Sequence, residues 1–406
     1  SEIYRMALYA NPVLFPAYYE PDEENRFRDH ILYGNYGDGN YLNPYAEMTR
    51  GYRERDRSLI LSQFELDQDL SFITQGLHAK LIYNTNREAR SGISRFYNPY
   101  YYELVNPMGE YDLALINPDS GTEYLNYRED EKQVMVNNYY EGRLRYDNSF
   151  AEKHGINGLL VLVARERKVT NPGTLQLSLP YRNLGLSGRF TYDYDTRYFL
   201  EFNFGYNGSE RFAENERFGF FPSVGLGYFI SNEQFFQPLT NTVNKLKLKA
   251  TYGLVGNDAI GSAQDRFFFL SEVNRNDPAR GGIFGSRYDY SKTGVSISRY
   301  ENDQIKWEIA RKFNIGFELG LFNSINLNVD FFGENRSNIL MDRIILASMG
   351  LQSGVRANVG EAKNHGIDLS LDYQHRFSND FWILGRGNFT WATSEMVNYE
   401  EPDYSS

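Results

Sequence analysis

Residues 190–206 read FTYDYDTRYFLEFNFGY, and the side chains change character with a period of two. Phe190, Tyr192 and Tyr194 alternate with Thr191 and Asp193. After Asp195-Thr196-Arg197 the stripe resumes as Tyr198, Leu200, Phe202, Phe204 and Tyr206, with Glu201, Asn203 and Gly205 between them. Successive side chains of a strand point to opposite faces, so this spacing predicts two antiparallel strands, each with a greasy face and a polar face, joined by a tight turn.

The same period recurs along most of the chain. Ile367, Leu369, Leu371 and Tyr373 alternate with Asp368, Ser370 and Asp372, and after Ser378-Asn379-Asp380 the run from Phe381 returns. Residues 314–322 turn at Asn323-Ser324 into Ile325, Leu327, Val329 and Phe331, set between Asn326, Asn328 and Asp330. Lys245, Lys247 and Lys249 share one face of the strand from Val243. Earlier, 135–150 turns at 151–155 into 156–169, and 59–70 turns into 77–84. Together these runs predict about fourteen strands, most of them in hairpins, and no helical stripe of useful length.

The connections fall into two kinds. Some are two to five residues long; others, roughly 15–58, 86–132, 255–306 and 333–362, are long, polar and rich in Gly, Asn and Asp. Short turns alternating with long loops are expected of a barrel whose two ends face different compartments. Neither a fixed-period repeat nor a low-complexity linker interrupts the pattern.

Composition decides which way round such strands face. The chain has 33 Tyr and 29 Phe in 406 residues, which favours strands. Its longest clean apolar run, Leu159–Ala164, is far short of the roughly 20 residues a membrane helix needs. With no cysteine it has no disulfide or thiolate site, and a net charge of −11 argues against a nucleic-acid partner. The Asp, Asn, Lys and Arg set is too regular to sit in a dry core, because unpaired buried charge costs several kcal/mol per group. Turned inside out, the strands show rings to lipid and polar groups to a wet lumen, and closure satisfies the backbone. The alternative is a soluble β-sandwich that holds glycans with exposed aromatics. A β-rich glycan hydrolase would need a carboxylate pair that the sequence does not single out.

Residues 186–236 carry a family likeness. Tyr192-Asp193-Tyr194 precedes Arg197-Tyr198, Glu201-Phe202-Asn203-Phe204 is followed by Asn207-Gly208-Ser209, and Arg217 to Ser223 leads to Ile230-Ser231-Asn232-Glu233. This ordered set resembles the barrel of the SusC/RagA family of TonB-dependent outer-membrane transporters. Residues 246–261, 306–322 and 358–374 resemble it too, so the likeness is strong over 186–395 and weaker over 1–185.

The resemblance implies an all-β fold, an antiparallel transmembrane barrel of the class with about 22 strands, with long extracellular loops and short periplasmic turns. It also implies TonB-driven import of oligosaccharides or peptides across the outer membrane of a Bacteroidota-type bacterium, beneath a SusD-like lipoprotein, and no enzyme activity. No signal peptide, plug-like region, TonB box or terminal aromatic-ended strand is read in the sequence. The chain is therefore expected to be an internal piece of the barrel, with TonB acting through a missing N-terminal region.

No catalytic, cofactor or metal residue is assigned. His30, His78, His154, His365 and His375 are scattered, with His154 and His365 expected beside glycine in turns. Residues 20–25 (EPDEEN) read as a solvated acidic turn, 50–58 as a charged rim, and 253–261 as a strand opening into a loop. Asp193 and Asp195 read as wall or turn residues. Substrate contacts are expected from lumen-facing polar residues and from aromatics of the loops 86–132 and 255–306, with no single residue chosen; the FYNPYYYE stretch (96–103) also suits a packed loop.

Overall fold

The computed structural model describes residues 2–39, 41–105, 109, 111–260, 266–378 and 380–400. In chain order the strands are β1 Tyr33–Gly34, β2 Gly51–Asp69, β3 Leu77–Phe96, β4 Tyr101–Leu104, β5 Leu113–Leu115, β6 Asn126–Phe150, β7 His154–Val169, β8 Tyr181–Tyr194 and β9 Tyr198–Ser209. They continue as β10 Phe218–Phe229, β11 Val243–Asn257, β12 Glu272–Phe284, β13 Tyr290–Arg299, β14 Glu308–Leu321, β15 Ile325–Asp342, β16 Arg356–Arg376 and β17 Trp382–Asn398. Helices are few and short: α1 Glu2–Tyr9, α2 Pro44–Thr49 and α3 Leu175–Ser178. Among the described residues no helix is long and apolar enough to cross a membrane, which says nothing of strands.

The chain divides into two compact units. The first comprises residues 1–60, 86–136 and 169–171. Here β1 pairs in parallel with β4, and β4 pairs antiparallel with β5, over a core of Leu32, Tyr102 and Leu113. Asn43 caps α2 by accepting the N–H groups of Tyr45 and Ala46, and Pro44 at the first helical position has no N–H to leave unsatisfied.

The second unit comprises residues 61–85, 137–168 and 172–406 and holds a twelve-stranded sheet in the order β17-β16-β15-β14-β11-β10-β9-β8-β7-β6-β3-β2. The pairs from β7 to β17 are all antiparallel. At one end of the strands most connections are tight, the exception being 230–242, which carries two short 3-10 turns. Three of them place two consecutive non-glycine residues in the left-handed region: Ala151 and Glu152, Asp195 and Thr196, Phe322 and Asn323. That backbone twist matches the right-handed twist of the paired strands. At the other end lie 210–217, 258–307 and 343–355, the second of which carries the β12–β13 hairpin.

The sheet sorts its residues as the alternation predicts. One cross-strand row runs Ile156, Tyr192, Leu200, Leu226, Ala250, Ile315, Phe331, Ile367 and Trp391, apolar or aromatic on nine neighbouring strands. Its members stay open to the surroundings: Leu226 is 58% exposed, Ile315 58% and Trp391 50%. Phe202 and Leu371 are exposed, and Phe204 and Leu369 are half-buried. A soluble sandwich would have driven these side chains into a shared interior. Instead, the buried core of this unit is a cluster beside the long connections, formed by Phe212, Ile260, Phe268, Ile305 and Trp307.

Some expectations need correction. Strands extend into all four predicted loops: β2 covers 51–58, β3 and β6 cover the ends of 86–132, β12 and β13 form a hairpin within 255–306, and β15 and β16 cover the ends of 333–362. His365 lies within β16 rather than in a turn, because alternation continues through Gly366, over which the Phe332 ring is folded. His154 opens β7 and bonds the Tyr192 hydroxyl through Nδ1 at 2.7 Å.

Candidate functional site: the charged face of the sheet

Opposite the apolar rows, the same strands build a wall of charge. One row reads Gly155, Asp193, Phe199, Gly227, Lys249, Gly316, Asp330, Asp368 and Thr390. Its neighbour carries Asn157, Thr191, Glu201, Gly225, Thr251 and Asn314. Lys245, Lys247 and Lys249 stand on this face, as their spacing predicted.

The charges answer one another. Lys249 Nζ lies 2.8 Å from Asp330 and 4.0 Å from Glu318, while Lys245 lies 2.5 Å from Glu318. Lys312 meets Glu334 at 3.2 Å, and Arg336 bridges Glu334 at 2.7 Å and Glu308 at 3.0 Å. Arg189 meets Glu201 at 2.9 Å, and Lys80 pairs with Glu65. Lys247 stands opposite Glu318 in the register but, among the described residues, closes no ion pair with it; its ammonium sits 4.9 Å from the centroid of Phe229 and 5.9 Å from that of Phe199. Each exposed pair is worth only about 0.2–1 kcal/mol. Their collective effect is to leave a hydrated face with little unpaired charge.

Two cavities open on this face. One of about 630 Å³ is lined by Arg189, Glu201, Asn203, Lys247, Lys249 and Lys312 among others. The other, about 1000 Å³, includes His78, Lys80, Arg143, Arg145, Asp147 and Asn157. Asp193 lines the first as a wall residue, whereas Asp195 sits in the turn and pairs with Arg197 at 2.7 Å. They are not arranged as an acid pair. Among the described residues no group of His, Asp and Glu is placed to hold a metal ion.

At the tight-turn end, His154, Tyr194, Tyr198 and Tyr228 form a chain of rings, with centroid separations of 5.0, 6.4 and 4.9 Å. Glu233 ties this end together by accepting from Arg197 at 2.8 Å, Tyr198 at 2.7 Å and Tyr228 at 3.2 Å. The Tyr198 and Arg197 hydrogen bonds hold its carboxyl below the usual carboxylate range. Amphipathic rings in this position suit a membrane–water boundary.

At the long-loop end the sequence named segments but missed their anchor. Arg266, 2% exposed, donates to the carbonyls of Leu179 and Pro180 at 2.6 Å each and pairs with Glu210 at 2.6 Å. Its guanidinium also lies 3.8 Å from the Tyr181 ring centroid. Nothing local in the sequence marks it, because its hydrogen-bond partners lie 56 to 90 residues away.

In the first unit, the aromatics of the FYNPYYYE stretch are engaged in packing. Tyr102 is fully buried, Tyr100 stacks on His30 at 4.6 Å, and the Tyr97 hydroxyl meets that of Tyr33 at 2.7 Å. The acidic turn is also structural. Burial would raise the Asp22 carboxyl, but the N–H groups of Leu113 and Asn25 and the Asn25 amide outweigh it and hold the carboxyl below its ordinary value. The charged run 50–58 stands largely on β2, with Arg53 on Asp130 and Arg57 on Glu88, each at 2.7 Å.

A sheet that is apolar on one face across nine strands and ionic on the other, with tight turns at one end, is what a membrane barrel requires. Residues 9–405 match the family model described as TonB dependent receptor-like, beta-barrel.

The chain belongs to that family.

It is similar to the TonB-dependent receptor SusC of Bacteroides thetaiotaomicron, with 30% identity over 280 residues, 68% of this chain and 25% of that protein. TonB-dependent receptor P3 of Formosa agariphila is 27% identical over 217 residues, 53% of this chain and 20% of P3. The solved RagAB peptide importer in its closed-closed state superposes with a TM-score of 0.59 at 23% identity, covering 92% of this chain and 41% of that one. The likeness to RagAB is one of fold. The chain thus spans 20% to 25% of the length of these two curated relatives. As in other TonB-dependent receptor barrels, its strands lie in the bacterial outer membrane; the exposed apolar rows suit lipid and the charged face suits a wet lumen.

Proposed function

We propose that this chain forms part of the wall of a SusC-type importer, which carries oligosaccharides or peptides across the outer membrane. The plug and TonB box belong to other parts of the parent protein, TonB supplies the energy through that plug, and a SusD-like lipoprotein covers the outer mouth. The observation that carries the reading is the Lys245–Glu318–Lys249–Asp330 series on a face whose reverse carries the apolar row from Ile156 to Trp391. Such a wall tolerates water and a polar solute while its outer side tolerates hydrocarbon. The fold likeness to the RagAB peptide importer supports the peptide half of this reading, and the resemblance of residues 186–236 to the SusC/RagA family supports the oligosaccharide half.

The test is uptake by cells that carry the parent gene. Labelled oligosaccharides and peptides too large for passive pores are expected to accumulate only with the gene intact and the proton gradient maintained. Accumulation that survives both gene deletion and a protonophore would refute the proposal.

A further inference from the structure

One cavity at the long-loop end of the sheet differs from the charge-paired wall. It measures about 450 Å³, and its lining includes five arginines, Arg165, Arg167, Arg182, Arg211 and Arg266, against three carboxylates, Glu166, Glu210 and Asp258. The surplus is notable in a chain whose net charge is −11.

Each of these carboxylates is already engaged. Glu210 is held by Arg266 at 2.6 Å, Asp258 accepts the Ser209 hydroxyl at 2.7 Å, and Glu166 meets Lys168 at 2.9 Å and Arg182 at 3.2 Å. Two guanidiniums have no carboxylate among the described residues. Arg165 lies 5.3 Å from the Tyr139 ring centroid. The Arg211 guanidinium, among the described residues, donates to the backbone carbonyls of Asp258 and Ile260 at 2.9 and 2.8 Å. A ring face and carbonyl dipoles orient a guanidinium without neutralising it. The side-chain amides of Asn137, Asn138 and Asn183 complete the lining with neutral donors and acceptors.

We infer that this cavity is an anion-recognition subsite, in which Arg165 and Arg211 receive a carboxylate carried by the imported oligomer. The inference rests on the import reading above and deepens it by naming a chemical preference. Guanidinium forks match a carboxylate bidentately, and such charge-assisted bonds are the strong ones. A carboxylate reaches this site either as an acidic sugar or as the C-terminus of a peptide.

The experiment uses the intact parent protein with its lid partner, purified from the outer membrane. Binding of tetragalacturonate is compared with that of neutral maltotetraose, and binding of tetra-alanine with that of its C-terminal amide. One acidic probe is expected to bind about tenfold tighter than its neutral counterpart, with the advantage shrinking at raised salt. Whichever pair shows the advantage identifies the source of the carboxylate. The Arg165→Gln/Arg211→Gln protein is expected to lose the advantage while binding the neutral probe as before, and Arg165→Lys is expected to retain part of it. Equal binding within both pairs, or an advantage that survives the double substitution in folded protein, would overturn the inference. Gradient-driven uptake without charge preference would sink this subsite and leave import standing, whereas loss of all gradient-driven uptake would sink both.

Discussion

Lys249 on β11 reaches Asp330 on β15 at 2.8 Å across the whole width of the intervening strand β14. The residue it passes over is Gly316, in register with both. A Cβ at Gly316 would stand 2.9 Å from Lys249 Cε and 2.5 Å from Asp330 Oδ1. The bridge therefore exists because a side chain is absent. Replacing Gly316 by Val is expected to separate the pair and strain the backbone, at a cost of about 1–3 kcal/mol. Lys249→Ala alone is expected to cost no more than about 1 kcal/mol. Urea unfolding of the parent protein in lipid, followed by the mobility shift of folded barrel on unheated gels, separates the two cases.

The two faces of the sheet should respond oppositely to the same substitution. Arginine in place of Ile315, which points to lipid, is expected to cost about 2–4 kcal/mol if that row lies near the bilayer midplane. Arginine in place of Thr251 on the wet face is expected to cost under about 1 kcal/mol. Equal penalties at the two positions would contradict the orientation assigned to the sheet.

Acid should loosen the tight-turn end. Glu233 is depressed in the folded chain, so its contribution is fully present above the ordinary glutamate value of about 4.3 and is lost as pH falls through the lower folded value. Protection factors in the 230–242 segment, corrected for intrinsic exchange, are expected to fall across that window. In Glu233→Gln the segment should exchange faster at neutral pH, with most of the pH dependence gone.

Arg266→Met is expected to leave Glu210 without its buried partner, to free the carbonyls of Leu179 and Pro180, and to loosen the 258–307 connection. Breaking such a buried pair costs on the order of 3–5 kcal/mol, here as local opening rather than global unfolding. Limited proteolysis on intact cells should cut the 258–307 segment faster than in the wild type, while the barrel core stays protected.

The strands and their facing were legible because alternation is local: Phe190 to Tyr206 carry their own instructions. Turn positions were legible for the same reason, as at Asp195-Thr196-Arg197. What escaped were features made by residues far apart. The β12–β13 hairpin lies in a stretch, NRNDPARGG, whose Asn, Asp, Pro and Gly read as loop, and its register is irregular. β15 continues past Asn335 and Arg336 through a bulge, with Asn338 at φ +59°, where composition alone predicts an exit from the sheet. The candidate site was legible only as a polar face. That Lys249 seeks Asp330, or that Arg165 and Arg211 share a cavity, depends on register and loop closure, which no local window contains.

The self-paired wall has a consequence for traffic. On the proposed import reading, lysines and carboxylates that already hold each other offer a passing solute weak, oriented dipoles instead of lone charges, so it is not detained for long along the described charge-paired wall. Movement through a conduit needs shallow resting places as much as it needs a firm first grip. The glycines at 225, 227 and 316 flatten the same face, which on that reading leaves a corridor suited to release.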